Sequence, residues 1–282
     1  MITRFAPSPT GRLHLGHVYS ALLAWQWAQE AKGRFLLRFE DIDHTRVREE
    51  FYEGIEVDLD WLGMSWETPA WRQLNRLANY ERALEQLRAM GLLYRCFCTR
   101  KDLMRMDAPQ EGEGSALYPG FCRHLTDEEV AEKLAKKIPY CWRLRSDLAG
   151  ERVGPLQFVD KRFGSLDVRP ELLGDVVVAR KDIATSYHLA VVVDDAAQEV
   201  SHIVRGEDLL ESTHVHRVLQ ELLGFPEPEY WHHELVVDGE GKRLAKRHDA
   251  LAIATLREEG ASREEVWERA LSQVRQETGL RP

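Results

Sequence analysis

The sequence predicts an α/β fold built on a parallel sheet and interrupted by an insertion, and three observations carry that expectation. Ile2 to Ala6 is a short apolar run, Pro7 to Gly11 is a turn holding two prolines, and Leu13 to Lys32 spaces Leu15, Val18, Leu22, Leu23 and Trp25 as a helix does. Arg34 to Phe39 reads as a buried strand ending at Glu40, Asp41 and Asp43, and sites in parallel α/β sheets collect at such strand ends. From Asp175 onward, Val176 to Ala179, His188 to Val193 and Ser201 to Arg205 are short and β-branched, as buried parallel strands are.

The elements between these follow in order. Helical spacing resumes from Arg48 to Leu62 and closes at Gly63, and a further helix runs from Leu74 to Met90 with Leu77, Leu84 and Leu87 on its apolar face and Gly91 as its C-terminal cap. At Leu92 the pattern changes, and the stretch to about Leu173 lacks regular alternation of helix and strand, so it is expected to be an insertion. Val215, Leu219 and Leu222 mark another helix, and Pro226 and Pro228 lead to a strand at Leu235 to Val237. Near the end, Ser262-Arg-Glu-Glu265 reads as a capping box, with Val266, Trp267, Ala270, Leu271 and Val274 on one helical face.

Composition narrows the function classes. A chain of 282 residues with 44% hydrophobic content has enough apolar material for a sizeable core, as one large domain or two small ones. No run of about 18 apolar residues is present and the N-terminus lacks signal-peptide regions, so a cytoplasmic protein with no membrane partner is expected. The net charge of −9 argues against non-specific grip on nucleic acid. Two basic clusters could still touch RNA: Arg123, Lys133, Lys136, Lys137, Arg143 and Arg145, and Lys242, Arg243, Lys246, Arg247 and His248.

Four cysteines in such a chain point to thiols available for metal rather than to disulfides. Cys96-x-Cys98 and Cys122 offer three thiolates, and one further ligand would complete a closed tetrahedral zinc site. Spacing alone favours His124 as that fourth donor, since imidazole is a common zinc ligand. Cys141, between Tyr140 and Trp142, reads as core.

The densest signal is Arg4-Phe-Ala-Pro-Ser-Pro-Thr-Gly-Arg-Leu-His-Leu-Gly-His17. A turn that opens a helix presents amide N–H groups and the positive end of the helix dipole, which makes it an anion site. His14 and His17 flank Gly16, where the absent side chain admits a ligand to the backbone, and both imidazoles can donate to a phosphate oxygen. The plainer alternative is a pair of surface histidines at an ordinary helix start.

This stretch resembles the adenylate-forming motif of glutamyl-type class I aminoacyl-tRNA synthetases. The resemblance continues through Leu36 to Arg46, Asp60-Trp-Leu-Gly63, Tyr187-His-Leu-Ala190 and Val204-Arg-Gly-Glu-Asp208 to Lys246, covering nearly the whole chain. It implies a doubly wound, Rossmann-like catalytic domain in two halves, 1–94 and 175–248, separated by a zinc-bearing insertion at 95–174 and followed by a short helical segment at 249–282, with no anticodon-binding domain. It assigns Arg4, Ala6, Ser8, Glu40, Tyr187 and Arg205 to substrate, with Glu40 on the α-amino group of glutamate and Arg205 and Tyr187 in the glutamate pocket. His14, Gly16, His17 and Lys246 would hold ATP with its Mg2+, and His14, His17 and Lys246 would be catalytic. The second class I motif is degenerate in Gly241-Lys-Arg-Leu-Ala-Lys-Arg247, where Arg243 replaces a lysine and Ala245 a serine, while Lys246 survives.

The glutamyl-queuosine branch of that family has the pattern Cys-x-Cys with Tyr-x-x-x-Cys, which implies Cys96, Cys98, Tyr118 and Cys122 as ligands of one structural Zn2+. Val191, where discriminating glutamyl-tRNA synthetases carry asparagine, agrees with the same branch. Its partners would be L-glutamate, ATP and tRNA(Asp) containing queuosine. Two other readings remain: a truncated enzyme charging the 3′ end of tRNA(Glu), and a non-catalytic binder of glutamate or RNA.

Overall fold

The computed structural model describes residues 1–99, 101–102, 117–235 and 252–278, with side chains as far as residue 272 in the last segment. Among these the strands are β1 (Ile2–Phe5), β2 (Arg34–Phe39), β3 (Glu67–Arg72), β4 (Leu93–Cys96), β5 (Cys141–Leu144), β6 (Gln157–Asp160), β7 (Gly164–Asp167), β8 (Val177–Ala179), β9 (His202–Gly206) and β10 (Glu229–His233). The helices are α1 (Leu15–Glu30), α2 (Glu49–Trp61), α3 (Leu77–Ala89), α4 (Asp127–Ala135), α5 (Ser146–Val153), α6 (Tyr187–Ala197), α7 (Leu210–Leu223), α8 (Ile253–Glu258) and α9 (Arg263–Thr278).

Two strand sets make the main layer. One has the order β1-β2-β3 with parallel pairing, and the other the order β7-β6-β10-β9, antiparallel only in the β6–β7 hairpin. They meet where β1 runs beside β9: the Ser201 N–H donates to the Ile2 carbonyl at 3.0 Å, and the Ile2 N–H donates to Ser201 Oγ at 2.9 Å. Strand order therefore runs outward in opposite senses from the β1/β9 junction, which is where a doubly wound fold opens its ligand crevice.

Helix starts and stops follow local chemistry. Gly63 and Gly91 take φ of 75° and 74° just past α2 and α3, a conformation that glycine adopts without a Cβ penalty. Ahead of α9 the capping box closes in both directions, Ser262 N–H to Glu265 Oε2 at 2.9 Å and Glu265 N–H to Ser262 Oγ at 3.2 Å. Val266 and Ala270 are then buried in the same core as α1, β2 and α2, and Trp267 meets Trp25 at 6.0 Å between ring centroids.

Three expectations need correction. His188 to Val193 is helical within α6, not a strand: Leu189 to Asp195 are all buried, so the run is apolar on every side of the helix and shows no amphipathic period. Val177 to Ala179 is a strand, but β8 pairs antiparallel with β5 in a separate sheet of order β4-β5-β8. After Pro228 the strand is Glu229–His233, ahead of the expected 235–237; Leu235 is not in a strand, and 236–237 lie outside the described residues. β3 had no sequence signal, because Pro69 breaks its pattern, and proline is tolerated there because β3 lies at the end of its sheet. Within 95–174, β6 and β7 belong to the larger sheet, while β5 and α4 belong to the stretch beside the cysteines.

Candidate active site

Four of the residues singled out above converge at the β1/β9 junction. Arg4 projects from β1, Glu40 follows β2, Tyr187 opens α6 and Arg205 lies on β9, and Arg205, Glu40 and Arg4 all act electrostatically on the Tyr187 hydroxyl. Burial raises the pKa of that hydroxyl, so it stays protonated and able to donate at neutral pH.

The two arginines are held in different ways. Arg4 is 4% exposed and clamped by the Asp195 carboxylate, Nε to Oδ1 at 3.0 Å and Nη2 to Oδ2 at 3.4 Å, while Nη1 donates to the Val204 carbonyl at 3.3 Å. Arg205 is 6% exposed, and among the described residues no carboxylate lies within 4.0 Å of it. Glu207, two residues along the chain, pairs with Arg162 at 2.5 Å. A guanidinium kept from water without an anion is poised to take one from a ligand.

Beneath the site lies a charge cluster that sequence reading did not find. Arg38 is fully buried in β2, with Nη1 at 2.7 Å from Asp195 Oδ1, Nη2 at 3.5 Å from Glu40 Oε1 and Nε at 3.9 Å from Asp194 Oδ2. Asp194 in turn accepts from Arg76 at 2.6 Å and from the Tyr80 hydroxyl at 2.7 Å. The signal available was an arginine inside the apolar strand Arg34-Phe-Leu-Leu-Arg-Phe39 and a pair of aspartates closing an apolar helix. Burial raises the Glu40 pKa, and Arg38 and Arg4 offset that only in part. Asp41, by contrast, is structural: it accepts from the Tyr52 hydroxyl at 2.7 Å and from the Leu74 N–H at 2.8 Å.

The two histidines of the first motif lie together at the start of α1. His14 is its N-cap, the His14 N–H donates to His17 Nδ1 at 3.3 Å, and the two imidazoles stack with centroids 3.7 Å apart. Gly16 lies in the first turn, Ala6 is half-buried and Ser8 is exposed on the preceding turn. The backbone of α8 docks onto this turn, with the Ile253 N–H donating to the Leu13 carbonyl at 3.0 Å. Lys246, Arg243 and the rest of the second basic cluster lie outside the described residues.

From Tyr187 and His188 an open cleft of about 1390 Å³ runs past Arg180 and Asp43 to Cys98 and Tyr118. At its far end the Cys96, Cys98 and Cys122 sulfurs lie within 4.8 Å of one another. The Tyr118 hydroxyl joins them, 3.3 Å from Cys96 Sγ and 3.5 Å from Cys98 Sγ. His124 is exposed and is not part of this group. Three soft sulfur donors with one oxygen at these separations suit a small tetrahedral metal ion. Cys141 is buried in β5, its thiol directed at the Cys96 carbonyl.

Several members of the first basic cluster are engaged within the chain, while Lys136 and Lys137 stay exposed. Arg123 pairs with Asp147 and Asp175, Lys136 with Glu132, and Arg143 is buried with its guanidinium 3.8 Å above the Tyr118 ring.

The family model for tRNA synthetases class I (E and Q), catalytic domain, matches residues 1–273. The chain is 48% identical over 271 residues to the glutamyl-Q tRNA(Asp) synthetase of Rhodobacter capsulatus, covering 93% of this chain and 96% of that one. It is 43% identical to the protein of the same name from Nitratidesulfovibrio vulgaris, over 91% of this chain and 81% of that one. Among solved structures, the glutamate-tRNA synthetase of Elizabethkingia anophelis superposes with a TM-score of 0.75 at 33% identity, covering 88% of this chain and 52% of that chain. The chain thus spans about half the length of that solved relative. No described helix is long and apolar enough to cross a membrane.

Proposed function

The chain belongs to the catalytic-domain family of class I tRNA synthetases for glutamate and glutamine, and from that premise we propose that it activates L-glutamate with ATP and passes the glutamyl group to queuosine in tRNA(Asp). The observation that carries the glutamate assignment is Arg205, a buried guanidinium beside the Tyr187 hydroxyl with no carboxylate of its own among the described residues. The names borne by the relatives from R. capsulatus and N. vulgaris support the nucleoside acceptor.

In this reading the ionised Glu40 receives the α-ammonium group and Arg205 the side-chain carboxylate. Arg4, already engaged by Asp195, shapes the pocket and lends positive potential toward the α-carboxylate. An α-carboxylate oxygen attacks the α-phosphorus of Mg2+-bound ATP, the bond to the β-phosphate oxygen breaks, and pyrophosphate leaves as glutamyl-adenylate forms. His14 and His17 at the α1 N-terminus, together with Lys246, supply the positive and hydrogen-bonding groups for the charge that develops on phosphate. A hydroxyl of the queuosine cyclopentene ring then attacks the acyl carbon, giving the ester and AMP, and its approach is along the cleft between Tyr187 and the cysteine cluster.

ATP–pyrophosphate exchange tests the first step. Exchange that depends on glutamate and is much weaker with glutamine is expected, and its absence with glutamate would leave a binding protein instead of an enzyme.

The pH profile checks the role of Glu40. Only its ionised form attracts an ammonium group, and its pKa is raised, so activity is present above that raised value and is lost as pH falls through it. The acid limb of kcat/KM for glutamate should therefore lie above the ordinary glutamate side-chain value of 4.5. A limb at or below that value would remove Glu40 from the ammonium site.

Cys96, Cys98, Cys122 and Tyr118 would hold one structural zinc, which would tie β4 to the turn carrying Cys122. Metal analysis of protein prepared without chelator should find about one zinc per chain. Cys98→Ser should release it and lower transfer to RNA more than pyrophosphate exchange, because the cluster lies at the far end of the cleft from Tyr187 and includes none of the residues assigned to glutamate or ATP. Protein without zinc would refute the site.

A further inference from the structure

The groups that hold Arg205 are all neutral. Its Nε–H donates to His232 Nε2 at 3.1 Å, Nη2 to Thr213 Oγ1 at 2.6 Å, and Nη1 to His216 Nδ1 at 3.2 Å and to the Tyr187 hydroxyl at 3.3 Å. Arginine only donates, so the facing nitrogen of each histidine must be bare, and this settles both tautomers. His232 carries its proton on Nδ1, which donates to Asp160 Oδ2 at 2.7 Å. His216 carries its proton on Nε2, which donates to His188 Nδ1 at 3.1 Å. Burial, with Arg205 nearby, lowers the His232 pKa to about 4 and that of His216 well below its ordinary value, so both rings are neutral at pH 7.

Asp160 is built in as firmly as a buried carboxylate can be. It is 1% exposed; Oδ1 accepts from the Arg162 and Phe163 N–H groups at 2.8 and 3.0 Å, and Oδ2 also accepts from the His232 N–H at 3.0 Å. Sheet register produces the alignment, since His232 on β10 lies directly opposite Arg205 on β9, and β6, which ends in Asp160, pairs with β10 on its other side.

We infer that Asp160 and His232 are positioning residues that determine glutamate specificity, by fixing the Arg205 guanidinium through an imidazole so that no protein carboxylate neutralises it. Arg4 shows the alternative arrangement, in which Asp195 touches the guanidinium directly and takes up its charge. With one ring interposed, the Asp160 carboxylate orients Arg205 yet leaves its front open to a ligand anion, because Coulomb attraction weakens with distance. This rests on the proposed placement of the glutamate side chain at Arg205.

The test is steady-state pyrophosphate exchange, reading KM for glutamate, KM for ATP and the glutamate-to-glutamine preference in the wild type and in His232→Leu, His232→Gln and Asp160→Asn. His232→Leu removes the acceptor, Asp160→Asn favours the tautomer that points N–H against N–H, and His232→Gln offers an amide oxygen to the Arg205 Nε–H. The first two should raise KM for glutamate about tenfold or more, leave KM for ATP within about twofold and narrow the preference over glutamine, while His232→Gln recovers most of the loss. Unchanged KM for glutamate in His232→Leu and Asp160→Asn, or equal rises for glutamate and ATP, would overturn the inference. If Asp160→Asn fails to fold, the contrast between leucine and glutamine at position 232 decides. A wild type without glutamate-dependent exchange would overturn the activity itself and this inference with it, whereas an active wild type with unmoved variants overturns this inference alone.

Discussion

Arg205→Ala should abolish most glutamate-dependent pyrophosphate exchange and bring what remains close to the level seen with glutamine. The wild-type site keeps a guanidinium 6% exposed and without a carboxylate partner among the described residues, so a glutamate carboxylate supplies a charge-assisted bond that a glutamine amide does not. Glutamine instead leaves the buried charge unmatched and its desolvation cost uncompensated. Differences of this kind run to roughly 2–5 kcal/mol, or about 30-fold to several thousandfold in kcat/KM. Glu40→Ala is the control: it should weaken both amino acids and leave their ratio unchanged, since the ammonium group is common to them. If Arg205→Ala keeps the preference for glutamate, the pocket has been assigned to the wrong arginine.

Asp195→Ala should be the most damaging single change to stability. Asp195 faces two buried guanidiniums at once, Arg4 at 3.0 Å and Arg38 at 2.7 Å, and the other carboxylates near Arg38, Glu40 and Asp194, are farther away at 3.5 and 3.9 Å. Removing one partner of a buried pair strands the other, at a cost of about 3–5 kcal/mol. In a chain of this size that is a fall in Tm on the order of 10 °C. Burial alone would raise the Asp195 pKa, but Arg38 and Arg4 outweigh it and the net shift is downward. Its contribution is therefore complete above the ordinary aspartate value of 3.8 and is lost as pH falls through the lowered one. Asp43→Ala provides the contrast, because its pair with Arg46 is 31% and 69% exposed and should cost no more than about 1 kcal/mol. Equal melting temperatures for Asp195→Ala and Asp43→Ala would show that the buried cluster is not held as described.

What the sequence shows and what it hides divide along a physical line. The start of α1, the ends of α2 and α3 and the capping box before α9 are local events, set by residues a few positions apart, and each was legible. α6 was misread because a helix buried on all sides loses the period by which helices are recognised. β3 was missed because its pairing partner, not its own pattern, makes it a strand. At the site, Arg4, Tyr187 and Arg205 were named through family resemblance, and Glu40 both through it and through its place among carboxylates at a strand end. The groups that hold them came from neither. Asp195 reaches back from α6 to Arg4 on β1, His232 and Thr213 reach Arg205 from β10 and α7, and Asp160 on β6 acts on it through His232, so only the folded register brings them together. Tyr118 is the instructive case for metal binding: spacing favoured His124, while the folded turn places the phenol oxygen among the three sulfurs.

The central claim, glutamate activation followed by transfer to a modified nucleoside, is tested most directly by following labelled glutamate onto purified tRNA(Asp) with and without queuosine, and onto tRNA(Glu). The account predicts label on queuosine-containing tRNA(Asp), recovered on the anticodon-loop nucleoside after nuclease digestion, and none on tRNA(Asp) lacking queuosine. Label at the 3′ end of tRNA(Glu) would contradict it and identify a charging enzyme.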